Sequence, residues 1–345
     1  KENPEAVEYL KQRGVSGEIA RDFAIGYAPG GWDRLIKHLG SNEEGLVKLR
    51  KTGMLSQGKS GEYDKFRNRI MFPIHDRRGR VIAFGGRALE DDGPKYLNSP
   101  ETELFHKGRE LYGLYLARRS QAKLDRILVV EGYMDVVALA QYGFRNCVAT
   151  LGTATTGDHA ELLFRAADEV VFCFDGDRAG RKAAWRALEN TLSRLREGRH
   201  ARFLFLPDGE DPDSMVRKHG TEEFASLLEE AQPLSDFFFE HFTGEVDMSA
   251  LDGRARLVGL ARPSLETIPE GIFRDMMFER LEALAQHRLE DRNKQRFAPS
   301  KPVQKAGKPT QKMTPMRMAM AHLVQDPSLG AKVENMQSFE GCDLP

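Results

Sequence analysis

Short apolar runs separated by a polar turn stand out first along the chain. Between residues 65 and 87 the apolar runs are 70–74 and 81–84, and the polar segment 76–80 between them contains Gly79. Two apolar runs joined by a short polar segment with glycine are typical of a β-hairpin. We therefore expect two antiparallel strands in this part of the chain.

From residue 125 onward, buried-type apolar runs alternate with helical patterns. The predicted strands are 126–130, 147–150, 170–174 and 202–206, and the predicted helices between them are 135–142, 159–167 and 181–196. Strands that alternate with helices in this way are typical of a parallel sheet with helices on both faces. The pattern predicts an α/β fold.

The remaining segments divide the chain further. The first 30 residues and residues 234–297 have only helical patterns, and residues 292–325 contain eight basic residues and no acidic one. We expect five segments, which are an α+β N-terminal subdomain with a basic block (1–124), a parallel-sheet α/β centre (125–233), an all-α subdomain (234–297), a flexible basic linker (298–314) and the truncated start of a further domain (315–345).

Composition narrows the class of protein. The 345 residues are 40% hydrophobic and 30% charged, and the net charge of −1 excludes a uniformly basic protein. No apolar run approaches the ~20 residues of a membrane span, and the polar start 1–5 is unlike a signal peptide. Three widely spaced cysteines disfavour a disulfide framework, so a cytoplasmic location fits best. The chain begins without Met, which suggests a fragment.

Acidic residues follow three of the predicted strands. Glu131 follows the first strand, Asp175 and Asp177 follow the third, and four acids follow the fourth, namely Asp208, Glu210, Asp211 and Asp213. Asp135 comes four residues after Glu131, in the first turn of the next helix. Because ligands of parallel sheets bind beyond the carboxyl ends of the strands, we expect these side chains to share one edge.

Carboxylates gathered at one edge repel one another, and a divalent cation relieves that repulsion. Oxygen ligands of this kind suit Mg²⁺ or Mn²⁺, and metal ions at a strand edge are typical of phosphoryl transfer. The alternative is that single acids after strands cap helices, as Asp211 or Asp213 could do.

The acidic segments resemble a known domain. Residues 131–135 (EGYMD), 175–180 (DGDRAG) and 211–214 (DPDS) are similar to the Toprim domain of bacterial primases, type IA and type II topoisomerases and some nucleases. Residues 67–74, 85–87, 95–102 and 105–108 also resemble the catalytic core of the bacterial replicative primase, in the same order along the chain. This second resemblance extends from about residue 1 to residue 297.

The resemblance implies a DNA-templated RNA polymerase that makes short primers on single-stranded DNA. It implies that Glu131, Asp175 and Asp177 are catalytic and are the first ligands of Mg²⁺ or Mn²⁺, and that Asp135, Asp211 and Asp213 extend the metal site. The partners that it implies are single-stranded DNA, ribonucleoside triphosphates and a replicative helicase. The helicase is expected to bind through a C-terminal domain that is missing here, since residues 315–345 resemble only its beginning, so we expect weak or no helicase binding by this chain. Paired cysteines are absent near residue 1, so zinc is not expected.

A basic block accompanies the acidic segments. Seven Lys or Arg residues and one acid lie between residues 65 and 87, and such cations can hold a triphosphate and a template backbone. The residues predicted to contact nucleotide or DNA are Arg67, Arg69, Arg87, Lys95, Tyr96, Asn98 and Lys107. Tyr133 is expected to be a packing residue.

Other activities remain alternatives at this point. A second Toprim enzyme, such as a topoisomerase or a nuclease, and a non-catalytic DNA-binding scaffold compete with the polymerase. Residues 53–60 (GMLSQGKS) match the P-loop formula, but no apolar strand precedes them and Gly61 follows them. We interpret this match as a chance one in a surface loop.

Overall fold

The computed structural model describes residues 3–90, 93–121 and 123–289, together with residues 322 and 324–325. The chain divides into one compact unit of residues 1–288 and a second of residues 289–345. The predicted linker 298–314, most of the predicted segment 315–345 and residues 290–297 lie outside the described residues.

The N-terminal part combines helices with two small antiparallel sheets. Its elements are α1 (Pro4–Gln12), α2 (Gly17–Asp22), β1 (Gly26–Ala28), α3 (Arg34–Leu39), α4 (Glu43–Lys51), β2 (Leu55–Gly58), β3 (Gly61–Asp64), β4 (Arg69–His75), β5 (Val81–Ala88), β6 (Tyr96–Asn98) and α5 (Leu114–Ser120). Strands β1, β4, β5 and β6 form one sheet in that order. The helical expectation for the first 30 residues misses β1, which needs its long-range partner β4 to form.

The hairpin prediction is confirmed by β4 and β5, which pair antiparallel. Gly79 adopts a left-handed φ of 80° in the turn, a conformation that favours glycine. Asp76 Oδ1 accepts hydrogen bonds from the backbone N–H groups of Arg78 and Arg80 at 2.8 and 2.9 Å. Residues 53–60 instead run into the small β2–β3 hairpin, so the P-loop formula is matched without the strand-to-helix geometry that it requires.

A parallel sheet forms the centre, as the alternating pattern predicts. Its elements in chain order are β7 (Leu124–Val130), α6 (Tyr133–Gln141), β8 (Cys147–Ala149), α7 (Gly157–Phe164), β9 (Ala167–Phe174), α8 (Arg178–Leu192), β10 (His200–Phe205), α9 (Pro212–Glu229) and β11 (Gln232–Pro233). The strand order is β11-β10-β9-β7-β8, with β11 alone antiparallel. At the β8 end of this order, Tyr112 exchanges two backbone hydrogen bonds of 3.0 Å with Ala149.

One continuous core joins the N-terminal sheet to the central sheet. Phe72 of β4 stacks on Tyr133 of α6 with ring centroids 5.3 Å apart. Gly85 of β5 lies against the same ring, and a Cβ at position 85 would be 2.4 Å from Tyr133 Cζ. The sheets therefore meet at the start of α6, which confirms Tyr133 as a packing residue.

A buried carboxylate links α1 to α9. Asp213 is 1% exposed, and its Oδ2 accepts a hydrogen bond of 2.9 Å from Arg13 Nη1. Arg217 Nε lies 2.8 Å from Asp213 Oδ1 as an ion pair. The two guanidinium groups compensate the burial of this charge.

Three helices follow the sheet, as predicted for residues 234–297 within the described range. They are α10 (Leu234–Gly244), α11 (Leu251–Leu265) and α12 (Ile272–Ala285). Among the described residues, no helix is both long and apolar enough to cross a membrane.

The contact between Gly85 and Tyr133 predicts a position-specific glycine requirement. Gly85→Ala forces the new methyl group into the Tyr133 ring, so we expect it to lower the free energy of unfolding by about 1–3 kcal/mol. Gly259→Ala is the matched control. Gly259 is an exposed residue of α11 with nothing near its Cβ position, and alanine there should stabilise by about 0.5–1 kcal/mol. Urea unfolding of both variants measures the difference, and equal stabilities would contradict this packing.

The buried pairing of Asp213 predicts a second asymmetry. Asp213→Asn leaves Arg13 and Arg217 without their carboxylate, and because both are about a third exposed we expect a loss of about 1–3 kcal/mol. Asp22→Asn breaks the exposed pair with Arg145 and should cost less than about 1 kcal/mol. Both values come from urea unfolding in the presence of a chelator. A larger loss for Asp22→Asn would refute the assignment.

Candidate active site

The carboxyl ends of the central strands bring the predicted acids to one edge. Val129 of β7 pairs with Phe172 of β9, so Glu131 lies about level with Asp175 on the neighbouring strand. Phe205 of β10 pairs with Phe174, which places the loop before α9 at the same edge. The parallel register thus produces the convergence expected from the strand order.

Two glycines allow the Asp175–Asp177 segment to lie close to its neighbours. A Cβ at Gly176 would be 2.1 Å from the carbonyl oxygen of Leu206, and one at Gly180 would be 2.1 Å from the carbonyl oxygen of Asp175. Both contacts are with backbone atoms, which cannot move aside cheaply. The spacing of aspartate and glycine in this motif follows from that close approach.

Several of these carboxylates also hold the first turns of helices. Each cap uses one oxygen of the side chain: Asp135 Oδ2 accepts from the Gly132 N–H at 3.0 Å, Asp177 Oδ1 from Gly180 at 2.7 Å, and Asp211 Oδ1 from Ser214 at 2.6 Å. The helices are α6, α8 and α9. Three helix N-termini, with their partial positive charges, therefore face the acidic edge.

The acids at this edge raise one another's pKa. Burial raises the pKa of Asp135 to about 8, with a further contribution from the charge of Asp211. Burial, followed by the charges of Asp175 and Asp177, raises the pKa of Glu131. Burial and the charges of Asp211 and Asp177 raise the pKa of Asp175. Without a counter-charge, the ionised forms of these three carboxyl groups are therefore energetically unfavourable.

The donor set fits a divalent cation in its chemistry. All of these side chains offer hard oxygen atoms, and a cation would relieve the repulsion that raises their pKa values. The described residues nevertheless contain no ready-made cluster of three or more Asp, Glu, His or Cys side chains arranged around one metal position. The carboxylates are close enough to interact, and binding an ion requires their side chains to turn toward it.

Asp213 differs from the other acids at this edge. Its two oxygens lie against Arg13 and Arg217, beneath the first turn of α9. In this arrangement its role is to hold α1 against α9.

The predicted nucleotide and DNA contacts divide into buried and accessible residues. Arg69 and Arg87 are buried, with Arg69 Nη1 donating to the carbonyl oxygens of Gly86 and Pro94 and Arg87 Nη1 donating to Tyr96 Oη. Asn98 is bonded at both ends of its amide, to Tyr133 and Leu151. Arg69, Arg87 and Asn98 therefore form hydrogen bonds within the protein that join separate segments of the chain.

The other predicted contacts are accessible. Lys95 and Tyr96 are exposed, whereas Arg67 and Lys107 are half-buried. Burial, followed by the charge of Lys107, lowers the pKa of Lys65, so the two ammonium groups are near enough to interact. A pair of neighbouring cations favours an anionic ligand.

Sequence reasoning missed one aromatic residue at the basic surface. Trp32 is 64% exposed, and the Arg67 guanidinium lies 4.3 Å from its ring centroid and 4.8 Å from that of Tyr63. Exposed aromatic rings beside arginine are suited to stacking on nucleic-acid bases. An isolated Trp in a Gly-rich polar segment was the available signal.

Three family models match consecutive parts of the chain. They are the N-terminal domain of the DNA primase catalytic core (residues 1–118), the Toprim domain (125–204) and the DnaB-helicase binding domain of primase (235–286). The third match falls on α10–α12, whereas the sequence pattern predicted a helicase-interaction segment only at 315–345. Most of that predicted segment lies outside the described residues.

Relatives and solved structures agree with these matches. The DNA primase of Pseudomonas putida is 60% identical over 282 residues, which is 81% of this chain and 43% of the relative. The DNA primase of Escherichia coli K12 is 51% identical over 350 residues, covering 99% of this chain and 59% of the relative. The chain therefore spans about half the length of the curated relatives it matches.

A solved structure described as the E. coli primase catalytic core has a TM-score of 0.81 and 54% identity, covering 84% of this chain and 93% of that one. A primase catalytic domain solved with single-stranded DNA has a TM-score of 0.80 and 53% identity, covering 85% and 92%. The fold, the acidic edge and these similarities lead to one conclusion: the chain belongs to the DnaG-type bacterial primase family and comprises its catalytic core.

Proposed function

We propose that this chain synthesises short RNA primers on single-stranded DNA by divalent-metal-dependent nucleotidyl transfer. The observation on which the proposal rests is the edge formed by Glu131, Asp175 and Asp177, where burial and neighbouring carboxylates raise the pKa of Glu131 and of Asp175. In this reaction a 3′-hydroxyl attacks the α-phosphorus of a ribonucleoside triphosphate, and pyrophosphate leaves.

Glu131, Asp175 and Asp177 are the proposed first ligands of Mg²⁺ or Mn²⁺, and Asp135 and Asp211 extend the site. Bound there, the cation supplies charge stabilisation for the phosphoryl and leaving oxygens. The arginine pairing of Asp213 supports a role beneath this site, where it orients α9 and with it Asp211.

The protein's own groups bind and orient the reactants. Lys65 and Lys107 are neighbouring cations suited to the triphosphate, and Lys95 is a further exposed cation just before β6. Trp32 with Arg67 offers a stacking surface for the template. Glu131 is also a candidate acceptor for the proton of the attacking hydroxyl.

The partners of the reaction follow from the family. The solved relative bound to single-stranded DNA supports a single-stranded template. The match of residues 235–286 to a helicase-binding model supports an interaction of α10–α12 with the replicative helicase. The bacterial relatives support a cytoplasmic location.

The acidic edge predicts loss of RNA synthesis when Asp175 is neutralised. Asp175→Asn removes a proposed metal ligand but keeps the side-chain shape, and we expect RNA extension on a primed single-stranded template to fall at least about 100-fold. Affinity for the same DNA, measured by fluorescence anisotropy, should stay within about twofold because Asp175 is outside the basic surface.

Asp168→Asn is the matched control, since Asp168 is an exposed acid near the other end of the same strand. It should leave RNA synthesis unchanged. If the chain instead relaxes or cuts DNA in a metal-dependent manner and makes no RNA, the topoisomerase or nuclease alternative replaces the polymerase. DNA binding without either reaction supports the scaffold.

The raised carboxyl pKa values predict how pH affects the metal-free protein. Because the pKa of Asp135 is raised to about 8, folding disfavours its ionised form. Ionisation of Asp135 therefore costs the folded protein almost no stability below the ordinary aspartate pKa. The cost increases as pH rises to about 8. In Asp135→Asn the melting temperature should therefore fall less with rising pH than in the wild type. Asp125→Asn, at an exposed position, should leave that pH dependence unchanged.

The same linkage predicts proton-coupled metal binding. Mg²⁺ or Mn²⁺ should raise the melting temperature of the wild type more at about pH 8.5 than at about pH 6, because bound cations need ionised carboxylates. Differential scanning calorimetry at the two pH values measures this. A metal-induced shift that is larger at the lower pH would contradict the proposed ligands.

A further inference from the structure

Tyr133 occupies a special place in the acidic edge. It lies between Glu131 and Asp135 in the sequence, at the first position of α6, and it is 4% exposed. Its ring packs against the N-terminal sheet, where it stacks on Phe72 and lies against Gly85. The side chain of Tyr133 thus connects the segment with two of the proposed ligands to that sheet.

A hydrogen bond fixes the direction of that ring. The Tyr133 hydroxyl donates to Asn98 Oδ1 at 2.7 Å, and Asn98 lies on β6 of the N-terminal sheet. The other end of the same amide, Nδ2, donates to the carbonyl oxygen of Leu151 at 2.8 Å. Leu151 follows β8 of the central sheet and is fully buried.

Asn98 therefore bridges three parts of the molecule. Its amide joins β6 to the start of α6 and to the loop after β8. The oxygen and one N–H are engaged in bonds to protein, and a ligand would have to break or share them. This is a different role from the direct DNA or nucleotide contact that the sequence predicts for Asn98.

We propose that Asn98 and Tyr133 are positioning residues, whose hydrogen bond sets the placement of the Glu131–Asp135 segment relative to the N-terminal sheet. The proposal rests on the proposed polymerase function, because it concerns how a triphosphate held by Lys65 and Lys107 meets the proposed metal ligands. A displacement of about 1 Å between reacting groups costs up to about 100-fold in rate. A hydrogen bond between β6 and the start of α6 is therefore able to control the rate of the chemical step.

The aromatic cluster contains its own control. The Tyr112 ring packs edge-on to Tyr133 with centroids 4.8 Å apart, and its buried hydroxyl has no hydrogen-bond partner in the described structure. Tyr112→Phe and Tyr133→Phe thus remove the same atom from the same cluster. Only the second substitution breaks a bond to the N-terminal sheet.

The test measures RNA extension by Tyr133→Phe, Asn98→Ala, the double variant and Tyr112→Phe. Positioning predicts that each of the first two lowers kcat by about tenfold or more, with the KM for ribonucleotides and the Kd for DNA within about twofold. Because both act through one bond, the double variant should be no more than about twofold worse than the worse single variant. Tyr112→Phe should retain the wild-type kcat.

The alternatives give different results. If Asn98→Ala raises the KM or Kd while Tyr133→Phe behaves as wild type, Asn98 is a direct ligand and the proposal is wrong. Losses that multiply in the double variant, or losses of melting temperature with an unchanged kcat per folded molecule, also overturn it. A wild type that makes no RNA refutes the polymerase itself and the positioning role with it. An active wild type with an equally active Tyr133→Phe refutes positioning alone.

Discussion

Repulsion among carboxylates at one edge of the central sheet is the constraint around which the rest of the core is built. A parallel register brings Glu131 and Asp175 level with each other, so the charges cannot separate without disrupting the strands. Three helix N-termini face them, and each gains a cap from one of the acids. The same carboxylates therefore serve as caps and as candidate metal ligands, and the two interpretations of these residues are compatible.

Much of the central fold could be predicted because its determinants are local. Apolar runs such as 170–174, followed at once by an acid and a glycine, specify a buried strand and a close turn within a few residues. The hairpin with Gly79 is local in the same sense. Capping acids such as Asp211 are also visible beside Pro212, which is well suited to the first position of a helix.

The basic surface was harder to predict, since the role of each residue depends on contacts far away in the chain. The sequence predicts that Arg69 and Arg87 contact nucleotide or DNA, whereas in the structure both are buried and hydrogen-bonded within the protein. The side-chain amide of Asn98 is hydrogen-bonded to Tyr133 and Leu151, which lie 35 and 53 positions away in the sequence. Trp32 gains its significance only from Arg67, which a sequence pattern does not place beside it. The strand Gly26–Ala28 likewise depends on a distant partner.

The short pairings at the two ends of the central sheet affect how the protein behaves in a crowded solution. A parallel sheet ordinarily ends in strands with open backbone groups, which can recruit strands of other molecules. Here β11 covers one side and the Tyr112 backbone covers part of the other. These short pairings leave fewer open backbone groups to which a strand of another molecule could bind.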